Sequence, residues 1–142
     1  MKYTTEIEIK APLEKVAAML GDHEQMLKWI KEVESYQPIS GTPRQEGAKT
    51  LLHVNAGKQM EVTETITKVN FPYRFTAHYE MPDGSLVIDN MLQASTPALT
   101  RYVLNHYFKF NGTMKVVTAL LKPAFVKHSE RMMKDFKELA EG

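Results

Sequence analysis

The stretch TMKVVTALLKPAFVKHSERMMKDFKELA, Thr113 to Ala140, decides how the chain reads. At about 100° per residue, Met114, Val117, Leu121, Phe125, His128, Met132, Phe136 and Leu139 fall on one narrow face. Lys115, Lys122, Lys127, Arg131, Lys134, Lys137 and Glu138 lie off that stripe and suit water. The pattern predicts one long amphipathic helix that needs a large apolar partner. Thr113, following Gly112, is placed to cap it, its hydroxyl accepting from a backbone N–H of the first turn. Pro123 removes one i to i−4 hydrogen bond and clashes with the carbonyl of Ala119, so a bend or a break is expected there.

The partner has to come from the residues before the helix, and these alternate. Tyr3, Thr5, Ile7 and Ile9 share one side of a strand, against Thr4, Glu6, Glu8 and Lys10. Ala11-Pro12 stops it, and Pro12 suits the first turn of a short helix from about Leu13 to Leu20. Gly21 closes that helix, and Asp22 can cap a second one carrying Met26, Leu27, Trp29 and Ile30, with Trp29 expected to be buried.

Strands and turns follow: Val33 to Ile39, Ala48 to Val54, Lys58 to Val69, Tyr73 to Met81, a strand containing Leu86 to Ala94, and Leu99 to Phe110. The hairpin between Ala48 and Val69 has two candidate registers: one sets Leu51 and His53 opposite Val62 and Met60, the other uses Leu52 and Thr50. Asp83-Gly84 reads as a type I′ turn that sets Leu86, Ile88, Asn90 and Leu92 opposite Met81, Tyr79, Ala77 and Phe75. A strand, two short helices, six strands and a long helix make an α+β arrangement, a curved seven-stranded antiparallel sheet burying its apolar face under the helix.

Composition sets the outer limits. With 142 residues, 43% hydrophobic and 25% charged, one ordinary domain over 1–142 is expected. Lys+Arg number 18 and Asp+Glu 17, and no basic run is interleaved with aromatics, which disfavours a nucleic-acid partner. No cysteine is present, so disulfides, thiol catalysis and Cys-based metal sites are excluded. His23, His53 and His78 are scattered and no His-Glu-x-x-His motif occurs, so no metal is expected, and no cofactor fingerprint is found. No apolar run reaches the length of a signal or spanning segment, so no integral membrane association and a cytoplasmic location are expected.

Ile9-Lys10-Ala11-Pro12-Leu13-Glu14-Lys15-Val16 at the first strand-to-helix junction, Trp29 followed by Val33, Val69-Asn70-Phe71-Pro72-Tyr73-Arg74, and Tyr107-Phe108-Lys109-Phe110 before the long helix together resemble the START-like or Bet v 1-like (SRPBCC) superfamily. The likeness is to its bacterial polyketide cyclase/dehydrase and lipid-transport group, and it spans the whole chain. It implies a helix-grip fold holding a hydrophobic small molecule between the sheet and the C-terminal helix. Members of the superfamily carry lipids or sterols, bind quinone-like ligands, cyclise polyketides or bind chaperones.

On that basis the expected function is binding or transport of a lipid, isoprenoid or aromatic polyketide-like molecule, by a monomer or homodimer. Tyr79, Asn90, Tyr102, His106 and His128 would orient the ligand. Phe75, Leu92, Val117, Leu121, Phe125 and Met132 would form the walls, with an entrance at the Pro123 bend. The alternatives are a cyclase or dehydratase using His106, His128 or Glu64 as acid or base, and a protein-interaction module with a filled interior. Each polar candidate also has a plain reading as a hydrogen-bonded core group. The nine methionines fit either an adaptable binding surface or ordinary gap filling.

Overall fold

A computed structural model describes residues 1–142, the side chain of Thr118 excepted. The elements run β1 (Lys2–Ile9), α1 (Leu13–Leu20), α2 (His23–Trp29), β2 (Val33–Ser40), β3 (Lys49–Asn55), β4 (Gln59–Asn70), β5 (Arg74–Met81), β6 (Gly84–Thr96), β7 (Leu99–Phe110), α3 (Met114–Leu120) and α4 (Lys122–Glu141). The strands form one antiparallel sheet in the order β1-β7-β6-β5-β4-β3-β2. Irregularities between Val33 and Ser35, Pro38 and Ser40, Ile66 and Lys68, and Ala94 and Thr96 interrupt its ladders. Such bulges bend strands and help a sheet curve around a helix.

The Asp22 cap behaves as its chemistry requires. The Asp22 carboxylate accepts from the Glu24 N–H at 2.9 Å, satisfying one orphan donor of α2. The expected long helix breaks at Leu121, whose φ of −95° and ψ of 4° leave the α region. Pro123 then lies in the first turn of α4, where its missing N–H costs nothing. α4 packs along β1 with α2 beside it. Its fully buried line is Ser129, Met133, Phe136 and Ala140, while Phe125, His128, Met132 and Leu139 are only partly covered. The buried face is thus turned about one position from the expected stripe. Contact with the β1 edge selects small side chains such as Ser129, which hydrogen-bonds Tyr3 from that strand at 2.8 Å. Lys137 reaches the Glu8 carbonyl at 2.8 Å, and Glu141 accepts from the Lys10 N–H at 2.7 Å, fixing the far end of α4 to the same strand.

Two hydrophobic clusters fill the interior. The larger joins Ile9, Val16, Trp29, Tyr102, Leu104, Met133 and Phe136, and the smaller places Met26 of α2 over Val33, Leu52 and Val62. Trp29 is buried, with its ring edge-on to Phe136 at 4.9 Å.

The Ala48 to Val69 hairpin takes the Leu52 register of the two offered, and the second hairpin closes differently from the sequence expectation. Leu52 pairs with Val62, as one register proposed, but Met60 faces Val54, and Thr50 faces Glu64. The Asp83-Gly84 turn is corrected as well: Met81 pairs with Gly84, so the loop is Pro82-Asp83 and every pairing slides by two, with Tyr79 opposite Leu86 and Phe75 opposite Asn90. Proline's fixed φ favours the first central position of the turn. A slide of two keeps every side chain on its own face, which is why alternation alone could not detect it. A Cβ on Gly84 would lie 2.2 Å from the Lys109 carbonyl oxygen on β7. Gly84→Ala is therefore expected to cost about 2 kcal/mol, read as a fall in urea midpoint. An unchanged midpoint would show that β7 yields freely there.

Candidate functional site

Two adjoining cavities share Leu20, Gly21 and Phe75 in their walls. The inner one measures about 50 Å³, room for about a water molecule or two. It sits where the two hydrophobic clusters meet, with Met26 from one and Trp29, Tyr102 and Leu104 from the other. Met132 of α4 closes it, so it occupies the expected position between sheet and C-terminal helix. The outer cavity measures about 380 Å³, a size that suits a small organic ligand. It lies beside the end of α1, between the loop carrying Pro43 and Arg44 and the β4–β5 corner at Phe71-Pro72. Pro123 is in the wall of neither cavity, and no residue of α3 or α4 borders the larger one.

Glu64 is the central polar group of the inner cavity. It is 4% exposed, on a face of β4 where Val62 and Ile66 flank it. A carboxyl buried there must be hydrogen-bonded, and both of its oxygens are. The His23 Nε2 lies 2.7 Å from Oε1, and the Tyr79 hydroxyl donates to Oε2 at 2.8 Å. Tyr36 stacks on the His23 ring at 5.0 Å, holding it in place. Burial, followed by the Glu64 charge, pushes the Tyr79 phenol well above its ordinary value, so this hydroxyl stays a donor. Beside this trio the Tyr102 hydroxyl donates to Asn90 Oδ1, and Asn90 Nδ2 donates to the Phe75 carbonyl at 3.0 Å. Burial likewise keeps Tyr102 protonated. A carboxylate held between an imidazole and a phenol keeps lone pairs that can accept a hydrogen bond from a ligand hydroxyl and so orient it.

The sequence candidates separate in space. Glu64, Tyr79, Asn90, Tyr102 and Met132 line the inner cavity, Leu92 lines the outer one, and Phe75 borders both. His106, His128, Phe125, Val117 and Leu121 border neither. His106 instead joins a chain that ties the sheet to α4: its Nε2 lies 3.1 Å from Ser129 Oγ, which bonds the Tyr3 hydroxyl. The His106 ring stacks on Tyr3 at 4.3 Å, and burial lowers its pKa to about 4. His128 turns toward Glu32, 3.4 Å away. Phe125 packs against Phe108 at 5.2 Å. Val117 and Leu121 are 40% and 46% exposed, next to and at the break between α3 and α4. His106 and His128 shared a helix or strand face with true core residues, but a shared face does not make a shared cavity.

Sequence reasoning passed over His23, Gly21 and Arg44. The signal available for His23 was indirect: a buried Glu64 demands a donor, and a histidine at the start of a helix that covers the sheet is one source. Arg44 lay in a polar loop with no periodicity to read. Among the described residues no three His, Cys, Asp or Glu side chains gather as a metal site, and no helix is long and apolar enough to cross a membrane.

Known proteins place this geometry in a family. Solved structures align over 99% of the chain: a START superfamily protein from Mycobacterium smegmatis at TM-score 0.84 and 12% identity, covering 97% of that protein. The Zhui aromatase/cyclase from Streptomyces sp. R1128 aligns at TM-score 0.82 and 16% identity over 93% of its chain. A protein from Thermus thermophilus aligns at 0.77 and 19% over 97%. At these identities the likeness establishes the helix-grip fold of START-like proteins, and the fold alone. No curated protein matches the chain in sequence. The family model for polyketide cyclase / dehydrase and lipid transport matches residues 1–141, and the chain belongs to that family.

Proposed function

We propose that this protein binds and carries a hydrophobic small molecule in the outer cavity, with a polar end of the ligand directed toward the Glu64–Tyr79–Asn90 cluster. The observation that carries this reading is the junction at Leu20, Gly21 and Phe75, where the roomy, mostly apolar cavity adjoins a small one in which Glu64, Tyr79, Asn90 and Tyr102 are hydrogen-bonded and the buried Trp29 Nε1 is left without a partner. That combination orients a ligand without needing a strong anchor. Burying about twelve methylene groups at roughly 0.8 kcal/mol each gives on the order of 10 kcal/mol gross before immobilisation is subtracted. Micromolar affinity needs about 8 kcal/mol. The family's span of polyketide cyclisation, dehydration and lipid transport supports a ligand of this apolar class.

The test is titration with the neutral dye Nile red, followed by fluorescence. Saturable binding at one site is expected. Ala18 lines the outer cavity yet is exposed, so Ala18→Trp should fill the space without disturbing the core and weaken the dye at least about tenfold. Binding unaffected by the tryptophan would place the ligand elsewhere and overturn the reading.

A further inference from the structure

Arg44 is held in a way that a solvated loop arginine does not need. It is the non-glycine residue with positive φ among those described, at 70°, a conformation that crowds a side chain. That backbone directs the guanidinium back over the end of α1, where Nη2 donates to the Ala18 carbonyl at 2.9 Å. Gly21 makes the room. A Cβ there would lie 3.0 Å from Arg44 Nε and 3.3 Å from Nη2. Gly21 itself has an ordinary φ of −88°, so the missing side chain serves the arginine rather than the backbone.

The guanidinium so placed borders the 380 Å³ cavity and has no carboxylate partner within 4.0 Å among the described residues. Arg74, which borders the same cavity, is already committed: it grips Asp89 through two bonds of 2.9 and 3.0 Å. Burial pulls the Asp89 carboxyl upward, but hydrogen bonds from Arg74 and Thr76 outweigh it and hold it below the usual carboxylate range. One free guanidinium therefore faces walls of Leu20, Val69, Phe75 and Leu92. Only one of its five N–H donors is used by Ala18, which leaves a fork that matches two carboxylate oxygens.

We propose that the ligand is an amphiphile whose carboxylate is bound by Arg44 at one end, with its apolar body along the cavity and any uncharged polar group at its far end toward Glu64. This deepens the carrier reading and rests on it. A single unpaired cation fits a monoanion; a phosphate monoester dianion would need a second, and Arg74 is not free to supply it. The inner end already holds the Glu64 carboxyl and does not suit another, so the charged group stays at the Arg44 end.

Displacement of bound Nile red by decanoate and by 1-decanol at pH 7.5 tests the assignment. Decanoate is expected to displace the dye at about tenfold lower concentration than the alcohol, the advantage of one charge-assisted contact. Arg44→Gln should reduce that ratio to near one. Gly21→Ala, whose new methyl would meet the Arg44 guanidinium first and unseat it, should reduce it in a protein of unchanged thermal midpoint. Equal displacement by acid and alcohol in the natural chain, or the same ratio after Arg44→Gln, overturns the carboxylate assignment alone. Displacement by neither while Nile red binds also overturns it. Failure of Nile red itself to bind removes the carrier reading and this proposal together.

Discussion

Phe136→Ala is expected to destabilise the protein by about 3–5 kcal/mol. Phe136 has no exposed surface and lies edge-on to both Trp29, at 4.9 Å, and Tyr102, at 5.5 Å. Its ring is thus a contact through which α4 meets both α2 and β7. Truncation opens a cavity that three separate elements would have to shift to close, and packed interiors relax only in part. Against a total stability on the order of 5–15 kcal/mol, the loss would leave a protein close to unfolding at physiological temperature. Urea denaturation should show a lower midpoint at similar slope. Leu120→Ala is the matching control: Leu120 is 78% exposed on α3, and its loss should stay within about 0.5 kcal/mol. Comparable losses at the two positions would mean that α4 does not form the core this structure describes.

The second large effect is a dependence on pH. His106 is buried among Tyr3, Ser129 and Phe108, and burial lowers its pKa to about 4, from 6.5 in an exposed histidine. Between those two values the unfolded chain takes up a proton and the folded chain does not. The contribution to stability is therefore complete above about pH 6.5, falls as pH falls, and levels off below about 4. At 1.36 kcal/mol for each pH unit, the loss amounts to roughly 3 kcal/mol. His106→Phe keeps a ring to stack on Tyr3, leaves the Tyr3–Ser129 bond in place and removes the titration. The stability difference between natural chain and variant, followed by urea unfolding from pH 7 to pH 4, should change by that amount. Parallel profiles would show that His106 is not the group being titrated. The carboxyl groups that titrate over the same range are common to both proteins and cancel in the difference.

His106 also marks the limit of reading a site from periodicity. Its place among Tyr102, Leu104 and Phe108 on β7 was legible, and it is indeed buried. Nothing in the alternation told a histidine that bonds Ser129 from one that opens onto a ligand. Glu64 was singled out by the same reasoning, and it does border a cavity, because its partners His23 and Tyr79 come from the elements that enclose that cavity. Val117 and Leu121 were placed in the walls by the helical stripe, with a bend or a break expected further on at Pro123. The chain breaks at Leu121, just before Pro123, and both wall candidates end up partly exposed.

The amino-acid sequence by itself determined the order and type of the elements. Side chains two apart share a strand face, those three or four apart share a helix face, and Asp22, Gly21 and Pro123 act through bonds within a turn of themselves. These are local rules, and they can be read without knowing where anything else lies. Tertiary structure alone decided which faces meet and how closely. His23 and Glu64 lie 41 residues apart and become partners only when α2 crosses β4. Arg44 gains its seat because Gly21 arrives beside it without a side chain. The near closure of the inner cavity, and the opening of a larger one outside it, depend on fractions of an ångström between packed surfaces. A pattern of polar and apolar residues does not encode that distance.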